Sequence, residues 1–225
     1  MTQRLTLIVL LCIIAAVAYS GDIATFENLG FSADSEVFVF GQYGLEEEAA
    51  SPFAEIYAVD VSANQFLSRG VFSTSSTGPI ALGQDGSGAF FNLLRDATPL
   101  LRSENIDHLA TGRPIYLLLG NQRNNGRLSF RDFNTDVRYD VRLTQDQRGT
   151  GEDVSAAFFI EVIITDEANR ARTFTVGRPG YYRPGIASYQ ITQILLSPDD
   201  TGLVIVVQQE GPDGSIRYMV ETARL

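Results

Sequence analysis

Short runs of β-branched and aromatic residues, separated by turn-forming residues, make up most of the chain. Such runs predict β-strands, and twelve can be placed, at residues 23–31, 36–43, 54–61, 64–72, 114–119, 126–133, 136–143, 154–165, 170–176, 188–196, 202–209 and 215–222. Strands do not alternate with helices, so a nucleotide-binding α/β domain is not expected. We predict a mainly β fold of about 11–12 antiparallel strands, either a sandwich or a small propeller-like array.

One segment has helical spacing instead. Its apolar residues recur at intervals of three and four, which places them on one face of a helix; they are Phe90, Phe91, Leu93, Leu94, Ala97, Leu100 and Leu101. We predict a short helical segment at about residues 89–110, divided into two helices or broken before Pro99. The Ser-, Thr- and Gly-rich stretch at 73–88 is expected to be a flexible loop. Asn125-Gly126 is a hairpin turn signal.

The first twenty residues differ from the rest. Arg4 gives the start a positive charge, residues 5–18 form an apolar run, and Ala18 and Ser20 place small residues three and one positions before Gly21. This layout predicts a secretory signal peptide at 1–20, cleaved between Ser20 and Gly21, and a single exported β domain at 21–225. An uncleaved N-terminal anchor is the alternative. Signal removal would leave a secreted or periplasmic protein without a membrane span.

Composition narrows the possible partners. The formal net charge is −10, and all 17 basic residues are arginines. An acidic surface repels phosphate backbones, so nucleic acid is not an expected partner. Cys12, the only cysteine, lies in the predicted signal, so the mature chain can form neither a disulfide nor a thiolate metal site. An envelope protein or a glycan is the expected partner, and no cofactor is predicted.

Two segments near the ends of the chain share one arrangement. Residues 32–34 (Ser-Ala-Asp) and 197–199 (Ser-Pro-Asp) each end an apolar strand and precede a second strand, and Tyr57 and Tyr218 lie on later strands. Both segments resemble the strand-turn-strand repeat of TolB-type β-propellers. Residues 35 and 200 depart from that repeat, because Ser and Asp stand where it has glycine.

A wider resemblance covers nearly the whole mature chain. It rests on the run at 26–44, the central Leu-Leu helical segment, Tyr189-Gln-Ile and the final Ser-Pro-Asp hairpin. These resemble a bacterial family catalogued only as predicted secreted proteins, domain of unknown function 2259. The resemblance implies export and a shared fold, and it supplies no catalytic residues.

The sequence contains no recognisable set of catalytic residues. His108 is the only histidine, its expected place is a helix end, and no Gly-x-Ser-x-Gly motif or zinc ligand set accompanies it. We therefore assign no catalytic residue and no metal ligand. Acidic residues at 46–48, 166–167 and 199–200 leave one alternative, a carboxylate-dependent, glycan-directed envelope hydrolase. All three groups lie in predicted turns, where acidic side chains usually face solvent.

The loop at 177–185 is the best candidate for binding. It repeats Arg-Pro-Gly on either side of two tyrosines. Tyrosines flanked by arginines can stack on a sugar or bind a carboxylate or peptide, so we predict Arg178, Tyr181, Tyr182 and Arg183 as ligand-binding residues. In the structural alternative, the tyrosines fill a sheet edge and the arginines cap carbonyls. The predicted function is a non-enzymatic binding or interaction module of the periplasm or cell envelope.

Overall fold

The computed structural model describes residues 22–46, 50–75, 80–81, 83–120 and 123–225. Within these ranges, fourteen strands form three antiparallel sheets, accompanied by one α-helix. The predicted signal peptide, Cys12 and the Ser20–Gly21 cleavage position lie outside the described residues. No helix in the described ranges is long and apolar enough to cross a membrane.

The three sheets are named here by position. The helix-side sheet contains β1 (Thr25–Ser32), β2 (Val37–Glu46), β3 (Ser51–Asp60), β4 (Gln65–Ser75) and β5 (Ile106–Asp107), in the order β4-β3-β2-β1-β5. The central sheet contains β6 (Arg113–Leu117), β12 (Ser188–Leu196), β13 (Gly202–Glu210) and β14 (Ile216–Arg224), in the order β14-β13-β12-β6. The distal sheet contains β7 (Arg127–Arg131), β8 (Arg138–Arg148), β9 (Ser155–Thr165) and β10 (Ala171–Gly177), in the order β10-β9-β8-β7, and β11 (Arg183–Pro184) pairs with β9.

The predicted mainly β, antiparallel fold is confirmed. All twelve predicted strands are present, with ends shifted by a few residues. The two additional strands, β5 and β11, have two residues each, which is too short for any hydrophobic period. Residues 73–75, predicted as loop, instead complete β4.

The hydrophobic core lies in layers with the central sheet in the middle. Strand β13 alternates its side chains between two neighbours: Val204 and Val206 pack with Phe38 and Phe40 of the helix-side sheet. Its intervening residues pack with distal-sheet residues such as Phe158. Because successive side chains on a strand point to opposite faces, one continuous apolar run can serve both interfaces. The arrangement is a stack of sheets, and the propeller-like alternative is not confirmed.

The helix α1 (Ser87–Ser103) covers the other face of the helix-side sheet. It buries Phe90, Leu93, Ala97 and Leu101, whereas Phe91, expected on the same face, is exposed. Phe90 packs so closely on Gly41 that a Cβ at that glycine would lie 2.4 Å from its ring.

The predicted break at Pro99 is wrong, because α1 continues through it. Proline deprives the Arg95 carbonyl of its helical donor. Both Arg95 and Pro99 lie on the exposed face of α1, where water can satisfy that carbonyl. The predicted segment also ended too late, since residues 106–107 form β5 rather than helix.

The hairpin expected at Asn125-Gly126 is also wrong. Strand β6 pairs with β12 in the central sheet and β7 pairs with β8 in the distal sheet, so the turn joins two sheets. Gly126 has φ +74° and its carbonyl accepts a hydrogen bond from the Leu143 amide at 2.7 Å. Gly126 has positive φ but Asn125 does not, so the two residues do not form the type I′ turn of a two-residue hairpin.

The two Ser-x-Asp turns have the same hydrogen-bond geometry. Ser32 Oγ donates to Asp34 at 2.6 Å and accepts from the Val37 amide at 2.9 Å. In the second turn, Ser197 Oγ donates to Asp199 at 2.5 Å and accepts from the residue 202 amide at 2.7 Å. Residues 35 and 200 have nearly equal positive φ, 59° and 57°. The likeness to the TolB-type repeat remains a likeness of these two turns.

A buried ion pair joins the central and distal sheets. Arg113 of β6 donates two hydrogen bonds to Asp132, at 2.7 and 2.9 Å, and a third at 3.0 Å to Asp200 in the β12–β13 turn. Asp132 is 4% exposed and accepts a further bond from the Thr135 hydroxyl. The hydrogen bond from Arg113 is the main reason that the pKa of Asp132 falls to about 2.

Strand β14 is the edge of the central sheet, and other parts of the chain cap its free side. The Ile216 amide donates to Asp22 O at 2.7 Å. Gln42, which is 2% exposed, accepts from the Tyr218 amide at 2.7 Å and donates to the Tyr218 carbonyl at 3.3 Å. Asn64 accepts from the Thr222 amide at 2.8 Å. Side chains therefore take the place of a neighbouring strand.

We expect Gln42→Ala to lower the free energy of unfolding by about 1–3 kcal/mol, because two part-buried backbone groups of Tyr218 and the Glu55 carboxylate lose their partner. Urea unfolding followed by circular dichroism measures this. Gln147→Ala, at an exposed site on β8, is the control and should change stability by less than about 0.5 kcal/mol. Equal losses in the two variants would contradict the capping role.

We expect Asp132→Asn to lower stability at pH 7 by about 2 kcal/mol, because a buried carboxylate loses its charge in a part-buried ion pair with Arg113. Since the folded-state pKa is depressed, the ionised Asp132 stabilises the fold above pH 3.8, and this contribution is lost as the pH falls toward about 2. The difference between wild type and variant should therefore shrink in urea unfolding at pH 2–3. Asp136→Asn, at an exposed ion pair with Arg131, should cost under about 0.5 kcal/mol. A difference independent of pH would refute the assignment.

Candidate functional site

A cleft with a volume of about 680 Å³ opens along β14. We call it the β14 cleft. Its lining comes from the β3–β4 turn, from β14, and from the loop that leads from β10 to β11. The lining residues are Val59, Ala63, Asn64, Gln65, Phe66, Gly177, Arg178, Tyr181, Arg183, Met219, Val220 and Glu221.

The β3–β4 turn places Asn64 in the cleft. Asp60 Oδ1 accepts hydrogen bonds from the Ala63 amide at 2.8 Å and the Ser62 hydroxyl at 2.9 Å, which fixes the turn. Asn64 itself has φ +52°, a left-handed conformation that asparagine tolerates well. Its amide side chain then reaches β14, accepting from Thr222 and donating to Glu221 Oε2 at 2.5 Å.

Glu221 supplies a buried carboxyl group. It is 5% exposed, and burial raises its pKa, although the Asn64 amide, the nearby Arg183 and the Gly177 amide act in the opposite direction. Burial penalises the charged form because an ion in the protein interior loses hydration. Raised carboxyl pKa values are common at functional sites.

Arg183 contributes a cation held by aromatic rings. Its guanidinium carbon lies 5.0 Å from the ring centroid of Tyr181 and 5.4 Å from that of Phe158, within the range of cation–π attraction. The Nη1 atom is buried and has no hydrogen-bond partner among the described residues. Arg183 also lowers the pKa of Glu221.

Three of the four predicted binding residues, Arg178, Tyr181 and Arg183, line the cleft. Tyr182 does not. Its hydroxyl donates to Asp146, a bond that raises the pKa of Tyr182, and the guanidinium of Arg148 stacks 3.6 Å from its ring centroid. The two adjacent tyrosines therefore have different surroundings, one in the cleft and one against the end of β8. The binding role of the four residues remains a prediction.

The floor of the cleft exposes part of the β14 edge. Alternate residues of an edge strand direct their amide and carbonyl groups away from the neighbouring strand. Tyr218 and Thr222 do so, and both are capped, so Val220 between them also points outward. Among the described residues, no side chain caps Val220 as Gln42 caps Tyr218. One amide and one carbonyl are thus directed toward the cleft.

The acidic residues of the hydrolase alternative are elsewhere. Asp166 and Asp200 line a separate depression of about 230 Å³, but each pairs with an arginine, Arg170 and Arg113 respectively. Backbone and side-chain hydrogen bonds from Arg170 lower the pKa of Asp166, which is the wrong direction for a general acid. Hydrogen bonds from Ser197 and Thr201 outweigh burial and lower the pKa of Asp199 to about 2.

The remaining candidates carry no assembled site. Glu46 accepts a hydrogen bond from the Ser51 hydroxyl at 3.2 Å, while residues 47 and 48 lie outside the described ranges. His108 follows β5 instead of ending a helix, and its Nδ1 lies 2.7 Å from Leu29 O. Within the described ranges, no group of three or more His, Cys, Asp or Glu residues is placed to hold a metal ion.

Sequence reasoning missed Asn64 and Glu221. Asn64 follows Asp60-Val-Ser-Ala, which indicates a turn but gives no partner. Glu221 lies on a predicted strand, where an acidic residue normally faces water. The two residues are 157 positions apart, so only the tertiary fold brings them together.

A family model described as predicted secreted protein, domain of unknown function 2259, matches residues 39–224. No curated protein matches the chain. The family match extends over all three sheets and includes every lining residue of the β14 cleft.

We expect Glu221→Gln to stabilise the protein at neutral pH, because a buried carboxylate is replaced by a neutral group of the same shape. Since burial raises the folded-state pKa, the native carboxyl group costs stability as the pH rises above 4.5. Wild type and variant should therefore differ little below pH 4.5, and the variant should gain progressively above it. Thermal unfolding from pH 4 to 8 measures this, and a variant less stable at pH 8 would contradict it. Glu152→Gln, at an exposed site, is the control.

Proposed function

Because the chain belongs to this family of predicted secreted proteins, we propose that it is exported to the periplasm or cell envelope and acts there as a non-enzymatic binding module. The proposed ligand site is the β14 cleft. The charged start, apolar run and small residues at 18 and 20 support cleavage of the signal peptide between Ser20 and Gly21.

One observation carries the proposal. A loop with two arginines and a tyrosine meets the buried Glu221 and its partner Asn64 in one concave site. Binding sites are typically concave, with a few polar groups fixed among apolar ones. The hydrogen bonds from Asn64 to both Glu221 and β14 hold these groups in place before any ligand arrives.

The chemistry of the lining supports binding rather than hydrolysis. Glycosidases generally place two carboxyl groups on either side of the scissile bond. The lining of the β14 cleft includes one carboxyl group, that of Glu221. The cleft can orient a ligand through arginine, amide and aromatic contacts, and the proposal therefore assigns no reaction to it.

The experiment compares two adjacent tyrosines. We expect Tyr181→Ala to reduce retention of the mature protein on immobilised cell-envelope extract at least five-fold, because the variant loses a side chain lining the cleft. Tyr182→Ala is the matched control and should retain the wild-type level, since Tyr182 contacts Asp146 and Arg148 outside the cleft.

Both variants should keep melting temperatures close to that of the wild type, measured on the same preparations. A protease-treated extract forms a second arm, because retention that survives digestion points to a glycan ligand. Equal retention of Tyr181→Ala and wild type would overturn the proposed site.

A further inference from the structure

We infer that the β14 cleft recognises a sugar carrying a carboxylate, such as a uronic acid unit of an envelope polysaccharide. This inference rests on the proposed function and names the ligand class of the same cleft. Four features of the lining support it: the way in which Arg183 is held, the charge of the cleft, its aromatic residues, and the capped edge of β14.

Arg183 is held beside aromatic rings with one of its nitrogens lacking a hydrogen bond. Tyr181 and Phe158 lie 5.0 and 5.4 Å from its guanidinium carbon, another of its nitrogens bonds Tyr189, and Nη1 has no partner among the described residues. No carboxylate lies within 4.0 Å of its nitrogens among the described residues. The N–H fork of arginine matches a carboxylate in two parallel hydrogen bonds. Because Nη1 is buried, a ligand carboxylate would bond Arg183 after a small shift of the Tyr181 ring that lies beside it.

The cleft is positive in an acidic protein. Its lining contributes two arginines, Arg178 and Arg183, and one acid, Glu221. Burial opposes ionisation of that acid, as its raised pKa shows. The chain as a whole has a formal net charge of −10, so an anion is repelled from most of the surface and attracted here.

Two aromatic side chains face the opening. Tyr181 and Phe66 are each 54% exposed, although burial of such rings is usually favourable. Tyr181 belongs to the β10–β11 loop and Phe66 to the start of β4. A flat ligand with apolar ring faces and polar edges, which describes a pyranose, would cover these rings while its hydroxyls meet Asn64, Gln65 and the free backbone groups of Val220.

The capped edge of β14 argues against a peptide. An extended peptide binds a sheet edge by pairing with several consecutive outward-facing residues. Here Ile216, Tyr218 and Thr222 are already bonded within the protein. Between these caps, only Val220 keeps its outward amide and carbonyl without a cap from the described residues. These two groups can bond one hydroxyl or amide of a ligand, but they cannot pair with an extended peptide strand.

The test uses defined oligosaccharides and isothermal titration calorimetry on the mature protein. The probes are a uronic acid trisaccharide and the neutral trisaccharide in which each carboxylate is replaced by a hydroxymethyl group. We expect the uronate to bind at least ten-fold tighter than the neutral sugar. Arg183→Lys should weaken the uronate at least ten-fold, because lysine lacks the planar fork, and Tyr182→Ala should leave binding unchanged.

Two more variants test the inference without replacing Arg183, whose substitution can lower the stability of the fold. Arg178→Gln, at an exposed position, should weaken uronate binding several-fold without altering the melting temperature. Glu221→Gln should not weaken it, since the only acid among the described lining residues of the cleft is removed. Weaker binding by Glu221→Gln would indicate a cationic ligand and overturn the inference, as would equal binding of the two trisaccharides.

The outcome can be separated from that of the proposed function. If neither trisaccharide binds while Tyr181→Ala still reduces retention on envelope extract, the cleft is a binding site and the ligand class is wrong. If Tyr181→Ala changes neither measurement, both the inference and the proposed function fail.

Discussion

The structure depends on satisfying the free edge of a sheet that is covered on both faces. The central sheet packs against the helix-side sheet on one face and the distal sheet on the other, so the backbone groups along β14 have limited access to water. An unpaired buried amide or carbonyl costs free energy comparable to a lost hydrogen bond. The chain resolves this with single side chains, Gln42 and Asn64, and with a short segment at residues 22–24. These contacts also join the first hundred residues to the last strand.

This solution produces the cleft. A neighbouring strand would have filled the edge continuously, whereas separate side chains leave an interval at Val220 between two caps. Asn64 caps Thr222 and also donates a hydrogen bond to Glu221. One side chain therefore both satisfies the strand edge and holds the buried acid in position. On the other wall, Tyr181 stacks on Arg183, which β11 anchors to β9. The polar groups are therefore held by the fold itself, as a site that binds without rearrangement requires.

The sequence predicts the positions of strands and the helix better than it predicts which strands pair. Runs of β-branched residues such as that of β13 are reliable signs of a strand, because a strand buried on both faces needs apolar side chains at every position. The helix break predicted at Pro99 was wrong because the free-energy cost of a proline depends on whether the Arg95 carbonyl can bond water. The hairpin predicted at Asn125-Gly126 was wrong because a turn signal does not show which strand the next strand pairs with. The composition of the 177–185 loop singled out Arg178, Tyr181 and Arg183, which line the cleft, and their binding role stays a prediction. The composition could not show which of Tyr181 and Tyr182 lines the cleft, since side chains in a loop do not follow the regular alternation of a strand or helix. The burial of Glu221 could not be predicted because its neighbours are distant in sequence, including its partner Asn64, 157 positions away.

The opposite orientation of Tyr181 and Tyr182 has an evolutionary consequence. Tyr182 contacts Asp146 and Arg148 at the end of β8, whereas Tyr181 lines the cleft. Substitutions at 181 can therefore change the ligand without changing the fold, so that one architecture could acquire many specificities.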